Sequence, residues 1–138
     1  MALNVPLLRS SFELIVSRQP QITPRFYEIL FSRYPQVKPL FGRSSGPAQA
    51  EMLQSALVAV MDHLEDASWL QQTLHAMGAK HVDYGVTTEM YDWVGDSLLA
   101  TLAEHAGSDW NDEIKAAWLE AYQAIAGLMQ QGAAKAVA

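Results

Sequence analysis

The spacing of apolar residues constrains this chain more than any other feature. Met52, Leu53, Ala56, Leu57, Val60, Met61 and Leu64 recur at steps of three and four, which sets them along one face of an α-helix. Gln54, Ser55 and Asp62 fall on the opposite face. The pattern returns in Ile114, Ala117, Trp118, Ala121, Tyr122, Ile125, Leu128 and Met129, behind Asn111 as an N-cap and Asp112 and Glu113 in the first turn. Residues 91–105 carry a third stripe, Val94, Leu98, Leu99 and Leu102, which stops at Gly107, a common C-terminal signal. Thr23-Pro24 reads as an N-cap and first helical position, opening a helix with Phe26, Ile29, Leu30 and Phe31 that must end near Tyr34-Pro35. No segment alternates with period two over the length of a strand, and no Asn-Gly or Asp-Gly hairpin turn occurs. The fold class is all-α.

The helices are unequal. A short segment around residues 37–41 and a loose stretch at 42–47 interrupt longer ones, which argues for crossed packing over a regular four-helix bundle. Gly95 inside a helix costs about 1 kcal/mol relative to Ala unless it permits a close crossing. At 138 residues, half of them hydrophobic, the chain fits one domain spanning 1–138, with no internal repeat or low-complexity linker.

Charge and cysteine content exclude whole classes of function. Nine Lys and Arg against fifteen Asp and Glu give a net charge of −6, which repels nucleic acid and anionic lipid surfaces. The longest apolar run, residues 56–61, is far shorter than the roughly 20 residues needed to cross a bilayer. The amino terminus has no basic region ahead of an apolar stretch, so the expected location is cytoplasmic. With no cysteine, disulfides, thiolate metal sites, iron–sulfur clusters and covalent haem attachment through cysteine are ruled out. A metal would have to be held by His, carboxylate, Met or Tyr.

Four histidines are candidates, and spacing alone leaves them open. His63 lies near a helix end beside Asp62 and Glu65, and His105 at a helix carboxyl end where a cation is favoured. His75 and His81 cannot share a face, since six residues at about 100° each separate them by some 240°.

The strings FYEILFSRYPQVKPLF, MGAKHVDYGV, Tyr91, VGDSLLATL and AAWLEAYQAIAGLM resemble the single-domain bacterial haemoglobins of the globin family and the haem domain of flavohaemoglobins, over essentially the whole chain. The resemblance implies a globin fold of six to eight helices crossing around a haem pocket, holding one non-covalent haem b. By the same match, His81, just ahead of Tyr84-Gly85-Val86, is the proximal iron ligand, and Phe41 packs on the porphyrin. Tyr27, Gln49 and Leu53 line the opposite, gas-binding side, and Leu57 and Val86 complete a dry pocket. The flavohaemoglobin pattern orients the proximal imidazole with a Tyr, matched by Tyr91, and a late Glu. Here that position falls on Ala133, and no acidic residue follows Glu120. A backbone carbonyl near Met77 is the other acceptor open to the imidazole.

A missing carboxylate weakens the electron push on iron and favours reversible binding over redox turnover. A phenol donating to a partly anionic gas ligand contributes about 1.5–3 kcal/mol, some ten- to a hundredfold in affinity, so Tyr27 implies slow release. Gln49, one turn before Leu53, approaches the same ligand. The expected function is oxygen binding, storage or delivery, with carbon monoxide and nitric oxide as further ligands and a monomer or homodimer as the assembly. The rival readings are nitric oxide dioxygenation (detoxification) supported by a separate reductase, a haem-based gas or redox sensor, and a globin-like fold without haem.

Overall fold

A computed structural model describes residues 3–41, 46–83 and 85–137. The described residues form helices α1 (Val5–Arg18), α2 (Thr23–Arg33), α3 (Gly46–Asp62), α4 (Ala67–Asp83), α5 (Thr88–Ala106) and α6 (Asp112–Val137), with 3-10 turns at Pro35–Phe41 and Gly107–Asp109 and no strand among them.

Local signals account for most of the boundaries. The Asn4 side chain accepts from the Leu7 N–H at 3.3 Å to cap α1, and Asn111 Oδ1 does the same for α6 through the Ile114 N–H at 2.8 Å. Helix α5 ends on Gly107 at φ +56°. Helix α2 departs from expectation, because Ile22 and not Thr23 is its N-cap. Thr23 itself is already helical, and its fully buried hydroxyl donates to the Ala50 carbonyl of α3 at 2.7 Å.

The core is built from Leu8 and Ile15 of α1, Leu30 of α2, Leu74 of α4 and Leu102 of α5, all nearly or fully buried. Trp118 of α6 joins them, its indole N–H donating to the buried Ser11 hydroxyl at 2.9 Å. Two helical crossings are close enough to exclude side chains. At α5 against α6, a Cβ on Gly95 would stand 2.5 Å from the Tyr122 ring, so the expected close approach is present. The tighter one joins α4 to α6, the most extensively packed pair of helices. There a Cβ on Gly78 would meet the Met129 carbonyl oxygen at 1.8 Å, and one on Gly132 the His75 carbonyl oxygen at 2.1 Å.

Helix α3 behaves differently. It packs on α2 but stands off from α4 and α5 across an internal cavity. Leu53, Ala56, Leu57, Val60, Met61 and Leu64 face that cavity as the stripe predicts, whereas Met52 is 66% exposed, its position lying at the edge of the apolar arc. Gln54 is no solvated residue either, for its amide bonds the Ile22 N–H at 3.2 Å and the Pro20 carbonyl at 3.1 Å.

Candidate functional site

The cavity, of about 240 Å³, is walled by apolar side chains from α2, α3, α4, α5 and α6. His81 supplies the one imidazole among its described lining residues, which include no carboxylate. The end of α4 aims this side chain. Gly85, at φ +83°, takes the left-handed position after the helix, its N–H reaching the Val82 carbonyl and the Val86 N–H reaching the His81 carbonyl, both at 3.0 Å. This is a Schellman ending, and it folds Val86 back onto the same cavity as His81.

The His81 ring is fixed by its own helix. Nδ1 lies 2.6 Å from the Met77 carbonyl oxygen one turn earlier. A carbonyl only accepts, so Nδ1 carries the hydrogen and the Nε2 of the neutral ring carries the lone pair. Tyr91 at the start of α5 lies beside it, with ring centroids 6.4 Å apart and planes inclined by 27°. Its hydroxyl is buried without a hydrogen-bond partner among the described residues, and desolvation raises its pKa above the ordinary tyrosine value. The Tyr91 carbonyl accepts from the Tyr122 hydroxyl at 2.5 Å. Burial pushes the Tyr122 phenol far above its usual range, so both tyrosines stay neutral at ordinary pH.

Of the residues singled out in the sequence, Leu53, Leu57, His81, Val86 and Tyr91 all line the cavity. Tyr27 and Gln49 are not among the described lining residues; Tyr27 follows the lining residue Phe26 in α2, and Gln49 comes one turn before the lining residue Leu53 in α3. They are joined to each other, Gln49 Nε2 donating to the Tyr27 hydroxyl at 3.2 Å. The Tyr27 ring packs edge-on to Phe26 and stacks on Phe31. Desolvation raises its pKa, opposed by the Gln49 bond. Phe41 closes the Pro35–Phe41 turn, and its side chain, like Tyr84, lies outside the described residues. Ala133 lies in α6 past Met129, where the cavity lining on that helix ends.

The other histidines are held elsewhere. His63 stacks on Trp69 at 3.9 Å, His75 meets the Gln131 amide at 3.1 Å, and His105 sits in the last turn of α5. Residues overlooked in the sequence are Gly78 and Gly132, which let α4 lie directly on α6, and Tyr122. Gly78 had a readable signal: a glycine inside a strong helical pattern, three residues before His81, usually marks a close approach.

The donor set decides what such a site can hold. Among the described residues, no three His, Cys, Asp or Glu side chains converge to bind a bare metal ion. A single imidazole on the wall of an apolar cavity instead fits a metal that brings its other ligands with it in a flat, apolar macrocycle.

Fold and cavity together define a helical protein built to enclose an apolar group around one histidine. A family model described as Globin matches residues 24–129, and the chain belongs to the globin family. Membership implies haem binding, which the residues lining the cavity fit. Among curated relatives, the flavohemoprotein of Bordetella pertussis is 31% identical over 125 residues, 89% of this chain and 31% of that protein. The chain thus spans about a third of the length of the flavohemoproteins it matches. Among solved structures, one described as an engineered carbene transferase and putative nitric oxide dioxygenase from Rhodothermus marinus aligns with a TM-score of 0.83 and 29% identity, over 95% of this chain and 91% of that one. A bacterial globin from Campylobacter jejuni aligns with a TM-score of 0.78 and 25% identity, over 95% and 94%.

Proposed function

We propose that this globin binds oxygen reversibly on a haem b ligated by His81, serving oxygen binding, storage or delivery. The observation that carries the reading is the environment of His81: its Nδ1–H goes to the neutral Met77 carbonyl at 2.6 Å, and no carboxylate lines the described cavity. Ferrous haem, when bound, supplies an iron site that takes a diatomic gas such as oxygen, carbon monoxide or nitric oxide. A carbonyl acceptor orients the imidazole without the strong basicity that a carboxylate would lend it, which suits binding over repeated redox turnover. Leu53, Leu57 and Val86 exclude water from the cavity. Tyr27 and Gln49, bonded to each other and adjacent to the lining residues Phe26 and Leu53, are the polar pair assigned to present hydrogen-bond donors to a small ligand on the α3 side. Phe41 is assigned to the porphyrin contact.

Loading the purified chain with haem tests this directly. The expected product is red, with an absorption maximum that moves on deoxygenation and again with carbon monoxide, and His81→Ala loses the haem on gel filtration. A colourless wild-type product overturns the reading.

One observation favours a second reading, nitric oxide dioxygenation with an external reductase. The Tyr91 hydroxyl is buried beside His81 with no hydrogen-bond partner among the described residues, and the relatives include flavohemoproteins. Steady nitric oxide consumption with a flavin reductase and reduced nicotinamide, lost in Tyr91→Phe, would favour this enzyme over the binder.

A further inference from the structure

The seam between α5 and α6 holds an unexpected arrangement. On its outer side lies a groove of about 570 Å³, floored by Leu99, Ala100, Ala103, Ala126 and Gly127. On its inner side lies the cavity that contains His81. Among the described residues, Tyr122 alone lines both. Gly95 offers no side chain at this level of α5, and the Tyr122 ring occupies the space, close enough that a Cβ on Gly95 would stand 2.5 Å from it. The partition between groove and cavity is therefore one aromatic ring thick.

The ring is latched in an unusual way. The Tyr122 hydroxyl donates to the Tyr91 carbonyl at 2.5 Å. Residues 91 and 95 are one helical turn apart, so the Tyr91 carbonyl that receives the phenol is also the helix's own acceptor for the Gly95 N–H. If it swings away, those two backbone groups remain partners for each other, and α5 loses nothing by the opening. Gln123 and Gln130, which line the groove, offer polar side chains on the side toward which the phenol would swing.

We propose that the α5–α6 groove is a second access route for small apolar gases into the cavity, with the Tyr122 ring as its gate and the Tyr91 carbonyl as its latch. The route suits oxygen, carbon monoxide and nitric oxide, because the inner side of the gate is apolar and admits no ion. The proposal rests on the gas-binding reading above.

The test compares wild type, Tyr122→Phe and Tyr122→Ala, each with and without Gln123→Trp, an exposed substitution that roofs the groove. Carbon monoxide association after flash photolysis is measured on the haem-loaded chain, and xenon exchange into the cavity by NMR on the same chain with and without haem. Tyr122→Phe keeps the plug but removes the latch, and both rates should rise roughly fivefold, the expected effect of one lost neutral hydrogen bond. Tyr122→Ala should raise them further, and Gln123→Trp should return Tyr122→Phe to the wild-type rate. Unchanged rates in Tyr122→Phe, or a rise indifferent to Gln123→Trp, overturn the gate. Tyr122→Phe decides the matter if Tyr122→Ala fails to fold. A chain with no carbon monoxide spectrum refutes the gas-binding reading instead, while xenon exchange still reports on the gate.

Discussion

The two walls of the cavity are held in place by opposite means. On the His81 side, α4 lies on α6 backbone to backbone: Gly78 faces the Met129 carbonyl and Gly132 the His75 carbonyl, with no room for a Cβ at either point. On the Tyr27 side, α2 and α3 are stitched by directional polar bonds, Thr23 to Ala50, Gln54 to Ile22 and Pro20, and Gln49 to Tyr27. A steric clamp fixes position but tolerates no added atom, whereas a stitched seam gives up its bonds one at a time. On the proposed function, the clamp lies behind the wall that aims the His81 imidazole and the stitches lie in the wall assigned to the arriving ligand.

The sharpest way to break this contrast is Gly78→Val. The clash is with backbone, which cannot rotate away, so a loss of about 3 kcal/mol or more, a fall of roughly 10 °C in Tm, is expected. Thermal unfolding followed by circular dichroism measures it, and a wild-type Tm would mean that the clamp is an illusion.

A second difference appears in alkali. Tyr27, Tyr91 and Tyr122 all have folded pKa values raised chiefly by desolvation. The unfolded chain then releases protons from about pH 10 while the folded chain holds them, so stability is intact below pH 10 and falls as pH rises from there toward the folded values. Tyr122 has the largest of these shifts. Urea titrations at pH 9 to 11.5 should show Tyr122→Phe flattening this fall more than Tyr27→Phe does. The reverse order would place the drier tyrosine on the wrong wall.

Tyr27→Phe sharpens the comparison on the ligand side. Loss of its donor should speed oxygen release by about tenfold in stopped flow, with little change in Tm, and an unchanged rate removes Tyr27 from the ligand's surroundings. The smallest effect belongs to a single stitch. Thr23→Val, close in volume, should cost about 1 kcal/mol in urea unfolding, while a loss as large as that of Gly78→Val would make the two seams equivalent.

Much of the fold was legible because its causes are local. Asn111 caps α6, Gly107 ends α5 and the stripe from Leu53 to Leu64 faces the cavity as their spacing requires. Thr23 misled because the N-cap falls one residue earlier, on Ile22, and the Thr23 hydroxyl serves a tertiary bond to Ala50 of another helix. Met52 misled because periodicity defines an arc and not its edges. Of the site, the apolar residues and His81 could be named in advance, whereas Tyr122 and the two glycines of the clamp act only through partners distant in sequence.

The histidines show where the division falls. His63 and His81 make the same local bond, each Nδ1 meeting the carbonyl four residues earlier, at 2.7 and 2.6 Å. That contact needs only a helix and no tertiary partner, so it cannot distinguish them. The sequence by itself determined the helices, their apolar faces, the lack of thiolate chemistry and the strings that mark the family. Tertiary structure alone decided that His63 stacks on Trp69 while His81 opens into the cavity, because a side chain's surroundings depend on which helices cross over it and how closely.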